Sequence, residues 1–504
     1  MKRLTDFLLR PRPWLWALAV GLTLLAGFAL RLYDLTDLPL DFAPTRQLFS
    51  ALKARAMYYQ SLPDVDEERR SLAIQLGGVG NFEPPIMETI VSQTWRLTGE
   101  HLWVARIYSS LFFVLGGLAL FLLIRELTSN WPALVGLLLY LFAPFGVVAS
   151  RSFQPDPLMT ALFVFALWAL VRWQNTRSWK WAILLGLFGG AALLVKNVIV
   201  FMLGGAVTGV VLGSLGLKRA VRDGQVWAVA GLFLLPTLVY ALNGSLSGSL
   251  EGYFTLQFFP NLWMDPAFYF RWEYVISYVT GFGVSMLAAM GIFISGPKRE
   301  RPLLLGLWIG YLLYGLVFAY AFYTHYYYQL PLIPLVAISL SVSLQLFFER
   351  FFERSPGLLP RLVLIGLVVA GTAWQAWVAR DRLLGEYRHE AAFWAEIGDR
   401  LGHHASVACL THDYGYRLAY WGWQACTPWY TSADIEVRYQ AGLDIDYLKK
   451  FQEDTAGKQY FLVTLLGEFD NQPVIKNLLY ENYPVYVQTD EYIIFDLEHP
   501  LKQP

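Results

Sequence analysis

The feature that most limits how this chain can fold is a series of apolar runs, each long enough to cross a bilayer. A helix needs roughly 17–25 apolar residues to span the hydrocarbon core. Runs of that length recur, with short polar breaks, from Trp14 to Val378. Eleven spans are expected, near 14–31, 103–124, 132–150, 157–173, 180–195, 198–215, 226–243, 273–295, 303–323, 330–348 and 360–379. The first is too long for a secretory signal and no small-residue cleavage site follows it, so it reads as a retained helix. Composition agrees: 15% of the 504 residues are charged and 56% are hydrophobic, against roughly 25% charged in soluble domains.

Orientation follows from the Lys and Arg content of short loops, which is higher on the cytoplasmic side. With the N-terminus cytoplasmic, that side collects Lys2, Arg3, Arg10, Arg12, Lys218, Arg219, Arg222, Lys298, Arg299 and Arg301, among others. The short loops opposite hold only Arg151, Lys196 and Arg271. An odd number of spans then places the C-terminus outside. Residues 1–380 are expected to form a transmembrane domain, with an outer loop at 32–101 and another at 244–272. Residues 381–504 are expected to form a separate domain outside the cell. The formal net charge of zero is uninformative, because the charges are sorted by side. No basic patch with interleaved aromatics points to nucleic acid.

Beyond Arg380 the pattern changes. An amphipathic stretch at 386–401 precedes a buried apolar segment at 405–410, and helix-like then strand-like segments follow to the end. Such alternation predicts a small α/β layer domain. Cys409 and Cys426 both lie here, where a disulfide is allowed and two free thiols are equally compatible. His403, His404, His412 and Asp413 lack a paired ligand spacing and read as surface or turn residues more than as metal ligands. In the first outer loop, 43–60 has apolar residues at helical spacing with Arg46, Lys53 and Arg55 among them, as in a helix lying in the membrane interface. Pro84 and Pro85 suit the first turn of a second helix. The aromatic loop at 251–274 is expected to rest on the headgroup layer.

Charged groups at a membrane are costly unless water or a partner relieves them, so those sharing one face are candidates for function. Five qualify on the outer side: Asp41, Glu83, Asp156, Lys196 and Arg271. Each has a plainer reading. Asp156, between Pro155 and Pro157, suits the N-cap of the fourth span. Lys196 could extend from a turn toward water, Arg271 could meet lipid headgroups, and Asp41 could be a turn residue. Arg106 reads as structural, orienting the second span.

Taken in order, these motifs resemble the polyprenol-phosphate-sugar-dependent glycosyltransferases of the GT-C fold, in the branch of protein O-mannosyltransferases and the lipid A aminoarabinose transferase. The resemblance rests on Asp41 in the first outer loop, "EPPI" at 83–86, Arg106 in "ARIYSS", "DPLM" at Asp156, Lys196 in an outer turn, and "YQLPLIPL" from Tyr328. It covers roughly residues 10–345. The chain departs from the family pattern at Phe42, where an acid is usual, at Glu83, where Lys or His is common, and at Asn197, where Gly is common.

The resemblance implies a polytopic α-helical membrane glycosyltransferase with a C-terminal α/β domain outside the membrane. Its donor would be a sugar on a polyprenyl phosphate, and its acceptor a hydroxyl on a lipid, glycan or protein. Asp41 would be the base. Asp156 would position the acceptor, share its proton or help hold a divalent cation. Lys196 and Arg271 would neutralise the departing phosphate, with His325 and Tyr328 as further donors. Asp41, Asp156 and Glu83 could together hold a divalent cation, or the reaction could run without one. A single displacement would invert the anomeric configuration. Two other classes compete: a secondary transporter or lipid flippase, for which no internal repeat is visible, and a non-catalytic membrane scaffold on the same fold, to which Phe42 lends weight.

Overall fold

A computed structural model describes residues 13–78, 80, 83–246, 258–296, 299–354, 357–440 and 442–501. Lys2, Arg3, Arg10, Arg12, Lys298 and the start of the aromatic loop, 247–257, lie outside the described residues. The chain divides into two compact units: one of Met1–Thr36, Asn81–Ile86 and Ala105–Gly385, the other of Asp37–Gly80, Met87–Val104 and Glu386–Pro504.

The first unit is a multi-pass helical membrane architecture. Across the described residues, seven helices are long and apolar enough to cross a bilayer: Pro13–Arg31, Trp103–Leu127, Asp156–Thr176, Asn197–Leu215, Gly224–Gly244, Tyr326–Arg354 and Leu359–Arg382. The other expected spans are shorter or broken. The run near 132–150 is a helix Asn130–Phe142 followed by a second, Pro144–Ala149. Pro144 lacks an N–H and disfavours helical geometry before it, so the chain turns at Ala143. The run near 180–195 is the short helix Trp179–Val195. The run near 273–295 is bent by 93° between Pro266–Thr280 and Phe282–Ile294. Gly281 makes that bend with φ of 83°, a conformation side chains disfavour. The run near 303–323 ends at Val317, and a short helix Ala319–Thr324 follows.

Small residues set the closest helix approach in this unit. Gly205 on Val200–Leu215 and Gly306 on Glu300–Val317 face each other, and a side chain on either would overlap the other's backbone. To either side of this contact, Gly209 lies against the Pro302 carbonyl and Gly310 against the Phe201 carbonyl. In lipid, where helices gain little from burying apolar surface against each other, such close packing supplies the association.

The second unit contains a five-stranded sheet in the order β2-β1-β3-β5-β4, with β1 Val407–Leu410, β2 Thr427–Pro428, β3 Tyr460–Val463, β4 Val485–Gln488 and β5 Ile493–Asp496. β1 runs parallel to β2 and β3, while β5 runs antiparallel to β3 and β4. The helices Glu390–Leu401, Tyr447–Thr455 and Pro473–Asn482 fall where the alternating pattern predicts them. Cores on both faces of the sheet are apolar, one around Phe451, Phe461 and Phe495 and the other around Trp394, Ile397 and Leu462.

The helix Pro44–Ser61, expected to lie in the membrane interface, instead buries every residue from Gln47 to Arg55 inside this unit. Its cations are relieved by protein. Arg55 donates to Glu100 at 2.7 Å and to the Tyr420 carbonyl at 2.5 Å, with its guanidinium over the Tyr420 ring. Burial pushes the Glu88 carboxyl up, and the Ser50 hydroxyl donates to it at 2.6 Å. The histidines take local partners: His403 meets the Gly422 carbonyl, His404 meets Glu68, and His412 meets Thr464. Asp413 accepts from Arg417 and Thr45.

Cys409 in β1 and Cys426 just before β2 form a disulfide across a separation of 17 residues. Closing a loop of about that size constrains the unfolded chain by about 3 kcal/mol. Cys426→Ser should therefore lower the unfolding free energy of this unit by about that amount in denaturant titrations followed by tryptophan fluorescence. An unchanged midpoint, together with two titratable thiols in the unreduced protein, would show that the bond does not form.

Candidate active site

The site begins with the segment that joins Pro144–Ala149 to the helix Asp156–Thr176. Buried arginines hold it from several sides. Arg31, at the end of the first helix, donates through Nε to Ser150 Oγ at 2.7 Å and through Nη1 to the Leu141 carbonyl at 3.0 Å. Arg151 donates to the carbonyls of Tyr33 at 2.6 Å and Asp34 at 3.0 Å. Ser109 donates to the Ser152 carbonyl at 2.8 Å. Arg106 reaches the Asp34 and Leu35 carbonyls at 3.4 Å, in keeping with a structural role. Guanidiniums suit this work because they stay charged and offer several donors in a fixed fork.

So held, the segment presents Asp156 in the first turn of its helix, with Pro157 beside it. The expected N-cap is corrected here: Pro155 takes the cap position, and no side-chain cap hydrogen bond forms. Both carboxylate oxygens of Asp156 are instead taken by Lys196, whose Nζ donates to Oδ1 at 2.8 Å and Oδ2 at 3.0 Å. Lys196 ends the helix Trp179–Val195 in extended conformation, before the turn Asn197–Ile199. It does not reach for water. The two side chains are 2% and 3% exposed, so this is a buried ion pair.

Two aromatic rings close over the ammonium, Tyr328 at 4.3 Å and Tyr327 at 5.0 Å from ring centre to Nζ. Ring faces attract such a cation, by about 2 kcal/mol when it is desolvated. Both rings stand on the short 3-10 turn Tyr326–Gln329, which polar bonds pin. Tyr314 donates to the Tyr328 carbonyl at 3.2 Å. Trp272 donates to the Tyr311 hydroxyl at 2.9 Å, and Tyr311 to Gln329 Oε1 at 2.8 Å.

The same relay ties in the helix Pro266–Thr280, which carries Arg271 next to Trp272. Arg271 is exposed and donates to the Tyr323 carbonyl at 3.3 Å. His325, also exposed, pairs with Thr324 Oγ1 at 2.6 Å, and its ring lies 6.2 Å from that of Tyr328. Asp156, Lys196, Tyr328 and His325 thus form one run of contacts, and the backbone at Tyr323 links Arg271 to it. A buried pair with exposed cation and imidazole donors beside it can bind and neutralise an anion arriving from the exposed side.

Two candidates remain, Glu83 and Asp41. Glu83 is half-buried just before the helix Ile86–Thr98, within electrostatic reach of Tyr240. Asp41 belongs to the second unit, where Gln47 Nε2 reaches its Oδ1 at 3.5 Å. Among the described residues no three His, Cys, Asp or Glu side chains group as metal ligands. Lys196 engages both carboxylate oxygens of Asp156.

Sequence reasoning missed Tyr327, Tyr311, Tyr314, Trp272 and Gln329 as supports of the site, and Arg31 and Ser150 as anchors. It also missed Gln154, fully buried two residues before Asp156, whose amide oxygen and nitrogen both lack hydrogen-bond partners among the described residues. The readable signal was polarity inside apolar runs.

Comparison with known proteins bears on this arrangement. A family model for dolichyl-phosphate-mannose-protein mannosyltransferases matches residues 83–241, a segment that includes Glu83, Arg106, Asp156 and Lys196. No curated protein sequence matches the chain. In structure it is similar to ArnT from Cupriavidus metallidurans bound to undecaprenyl phosphate, with a TM-score of 0.59, 15% identity, and coverage of 96% of this chain and 98% of that one. It is also similar to the oligosaccharyltransferase AglB from Archaeoglobus fulgidus in complex with an inhibitory peptide and a dolichol-phosphate, with a TM-score of 0.54, 12% identity, and coverage of 96% and 75%. The chain is a multi-pass membrane protein with the GT-C fold that these two structures share.

Proposed function

We propose that the protein is a membrane glycosyltransferase that moves a sugar from a polyprenyl-phosphate donor to an acceptor hydroxyl on a lipid, glycan or protein. The observation that carries this reading is the buried Asp156 and Lys196 pair under Tyr327 and Tyr328. In the reaction, the acceptor oxygen attacks the anomeric carbon, the bond from that carbon to the phosphate oxygen breaks, and its electron pair leaves with the polyprenyl phosphate. The acceptor proton goes to a carboxylate, and Asp41 is assigned that role from its place after the first span.

As the bond breaks, negative charge grows on the phosphate, and catalysis favours cations already in place to receive it. Lys196 supplies one, with Arg271, His325 and Tyr328 as further donors. Asp156 then acts mainly as a positioning residue, holding the Lys196 ammonium in place. This shifts its role from acceptor contact toward phosphate handling. A single displacement inverts configuration, so a β-linked donor yields an α-linked product.

The N-terminus is placed in the cytoplasm, and the unit holding the sheet outside. The distribution of Lys and Arg supports this, as does the Cys409–Cys426 disulfide, a bond that persists in oxidising compartments.

The test is incubation of the purified protein with a panel of β-linked polyprenyl-phosphate hexoses and pentoses, together with membrane extract as acceptor. At least one donor should be consumed, releasing polyprenyl phosphate and an α-linked product by NMR. A product of retained configuration would sink the single-step mechanism, and no turnover of any donor would sink the function.

A further inference from the structure

A second feature of the membrane unit is unrelated to the ion pair. A groove of about 580 Å³ runs between the helices Asn130–Phe142, Leu332–Arg354 and Leu358–Arg382 and the bend at Gly281. That volume lies within the roughly 300–1,000 Å³ of ligand sites. Its walls are apolar, with Leu138, Phe142, Val284, Leu340, Leu367 and Val378 along its length. Arg382 bears the only charge among the lining residues. Its guanidinium lies 4.6 Å from the Tyr278 ring, and its Nη1 is buried with no hydrogen-bond partner. A ring face attracts the cation yet leaves its donors unsatisfied.

Arg382 stands at the same end of the helices as the candidate active site. Tyr278 packs against Tyr326 at 6.0 Å, and Phe145 touches both rings at 5.8 and 6.1 Å. Tyr326 directly precedes the two tyrosines over Lys196. The groove therefore ends at one side of the aromatic cluster while the ion pair lies at the other. The helix Leu359–Arg382 is also the least buried of the seven long apolar helices, with 6% of its apolar window inside the protein.

We propose that this groove binds an anionic phospholipid, with its phosphate on Arg382 and an acyl chain along the apolar walls. The charge argues for an anion: a partly buried arginine with an unmet donor and no acidic neighbour in the groove is matched by a phosphate. The walls argue that the anion carries a hydrocarbon chain. The site is separate from the donor-phosphate site, and it depends on the membrane architecture alone, so sugar transfer is not part of its test.

Native mass spectrometry of the full-length protein, released from micelles containing equal amounts of phosphatidylglycerol and phosphatidylcholine of the same chains, reads the binding directly. The protein should retain one phosphatidylglycerol in preference to phosphatidylcholine. One arginine near an anionic headgroup contributes about 1 kcal/mol, or about fivefold. Arg382→Ala should lower phosphatidylglycerol retention by about that factor, to the level of phosphatidylcholine, and Arg382→Lys should restore most of it. Gly371 lines the groove, and a Cβ added there meets nothing within 4 Å. Gly371→Phe should therefore fill the groove without disturbing the fold and abolish retention of both lipids, while the thermal midpoint stays that of the wild type.

Equal phosphatidylglycerol retention in the wild type, Arg382→Ala and Gly371→Phe would overturn the proposal. So would displacement by inorganic phosphate, which would make it a simple anion site, or displacement by equimolar polyprenyl phosphate, which would make the groove the donor's own seat.

Discussion

Lys196→Met is expected to destabilise the membrane unit by about 3–5 kcal/mol, because it leaves the Asp156 carboxylate buried and unpaired. Asp156→Asn should cost less, since an amide is cheaper to bury than a charge and can still accept from the ammonium, but it leaves Lys196 without a countercharge. The double variant Asp156→Asn/Lys196→Met should recover most of the stability lost by Lys196→Met, for replacing both members of a buried pair is often close to neutral. It should not recover transfer, because the phosphate would meet no cation in place of Lys196. Denaturant unfolding in detergent, paired with a transfer assay, separates the two effects. If each single variant stays within about 1 kcal/mol of the wild type, the pair is not closed in solution and the reading of the site fails.

The second large effect is expected at Asp41. General-base catalysis contributes typically 10²–10⁴-fold, and Asp41→Asn should lower kcat by an amount in that range while changing donor affinity by no more than about twofold. An exposed turn aspartate would give no such split between kcat and binding. A scaffold protein would show no turnover to lose, and a variant with wild-type kcat would remove Asp41 from the mechanism. Asn is the right replacement because it keeps the shape and the acceptor oxygen that faces Gln47, so the change tests proton transfer more than folding.

How much was legible in advance differs from residue to residue. Asp156 and Lys196 stood out because each interrupts or borders apolar sequence on the same expected face, and that signal is local. Their pairing is not local. It joins positions 40 apart through two helices and a turn, and nothing in either neighbourhood distinguishes a carboxylate that caps its own helix from one turned toward a distant ammonium. The prolines flanking Asp156 favoured the cap, but Pro155 itself occupies the cap position and frees the side chain. Arg31 looked like the polar end of the first span, yet it anchors Ser150, 119 residues away. Tyr328 was marked only through the resemblance, as a donor to the phosphate and not as a cover for Lys196, and Tyr327 was one among many aromatics at a membrane surface, where such residues are common for reasons unrelated to chemistry.

The helix Pro44–Ser61 shows the same limit from the other direction. Apolar residues among Arg46, Lys53 and Arg55 fit an interfacial helix, since long cationic side chains can reach water. Burial reverses the inference, and only partners such as Glu100 and the Tyr420 carbonyl make it affordable for Arg55. Those partners come from distant parts of the chain.

By itself, the sequence determined that the chain crosses the membrane many times, that an α/β region follows, and which polar residues would be costly enough to need a reason. These depend on the length and period of apolar runs, which act within tens of residues. Tertiary structure alone decided that Asp156 is held by Lys196, that aromatic rings cover the ammonium, that the run near 273–295 breaks at Gly281, and that a groove opens toward Arg382. Each depends on which distant groups meet after packing, and in lipid, backbone approach and buried partners set that outcome more than local pattern does.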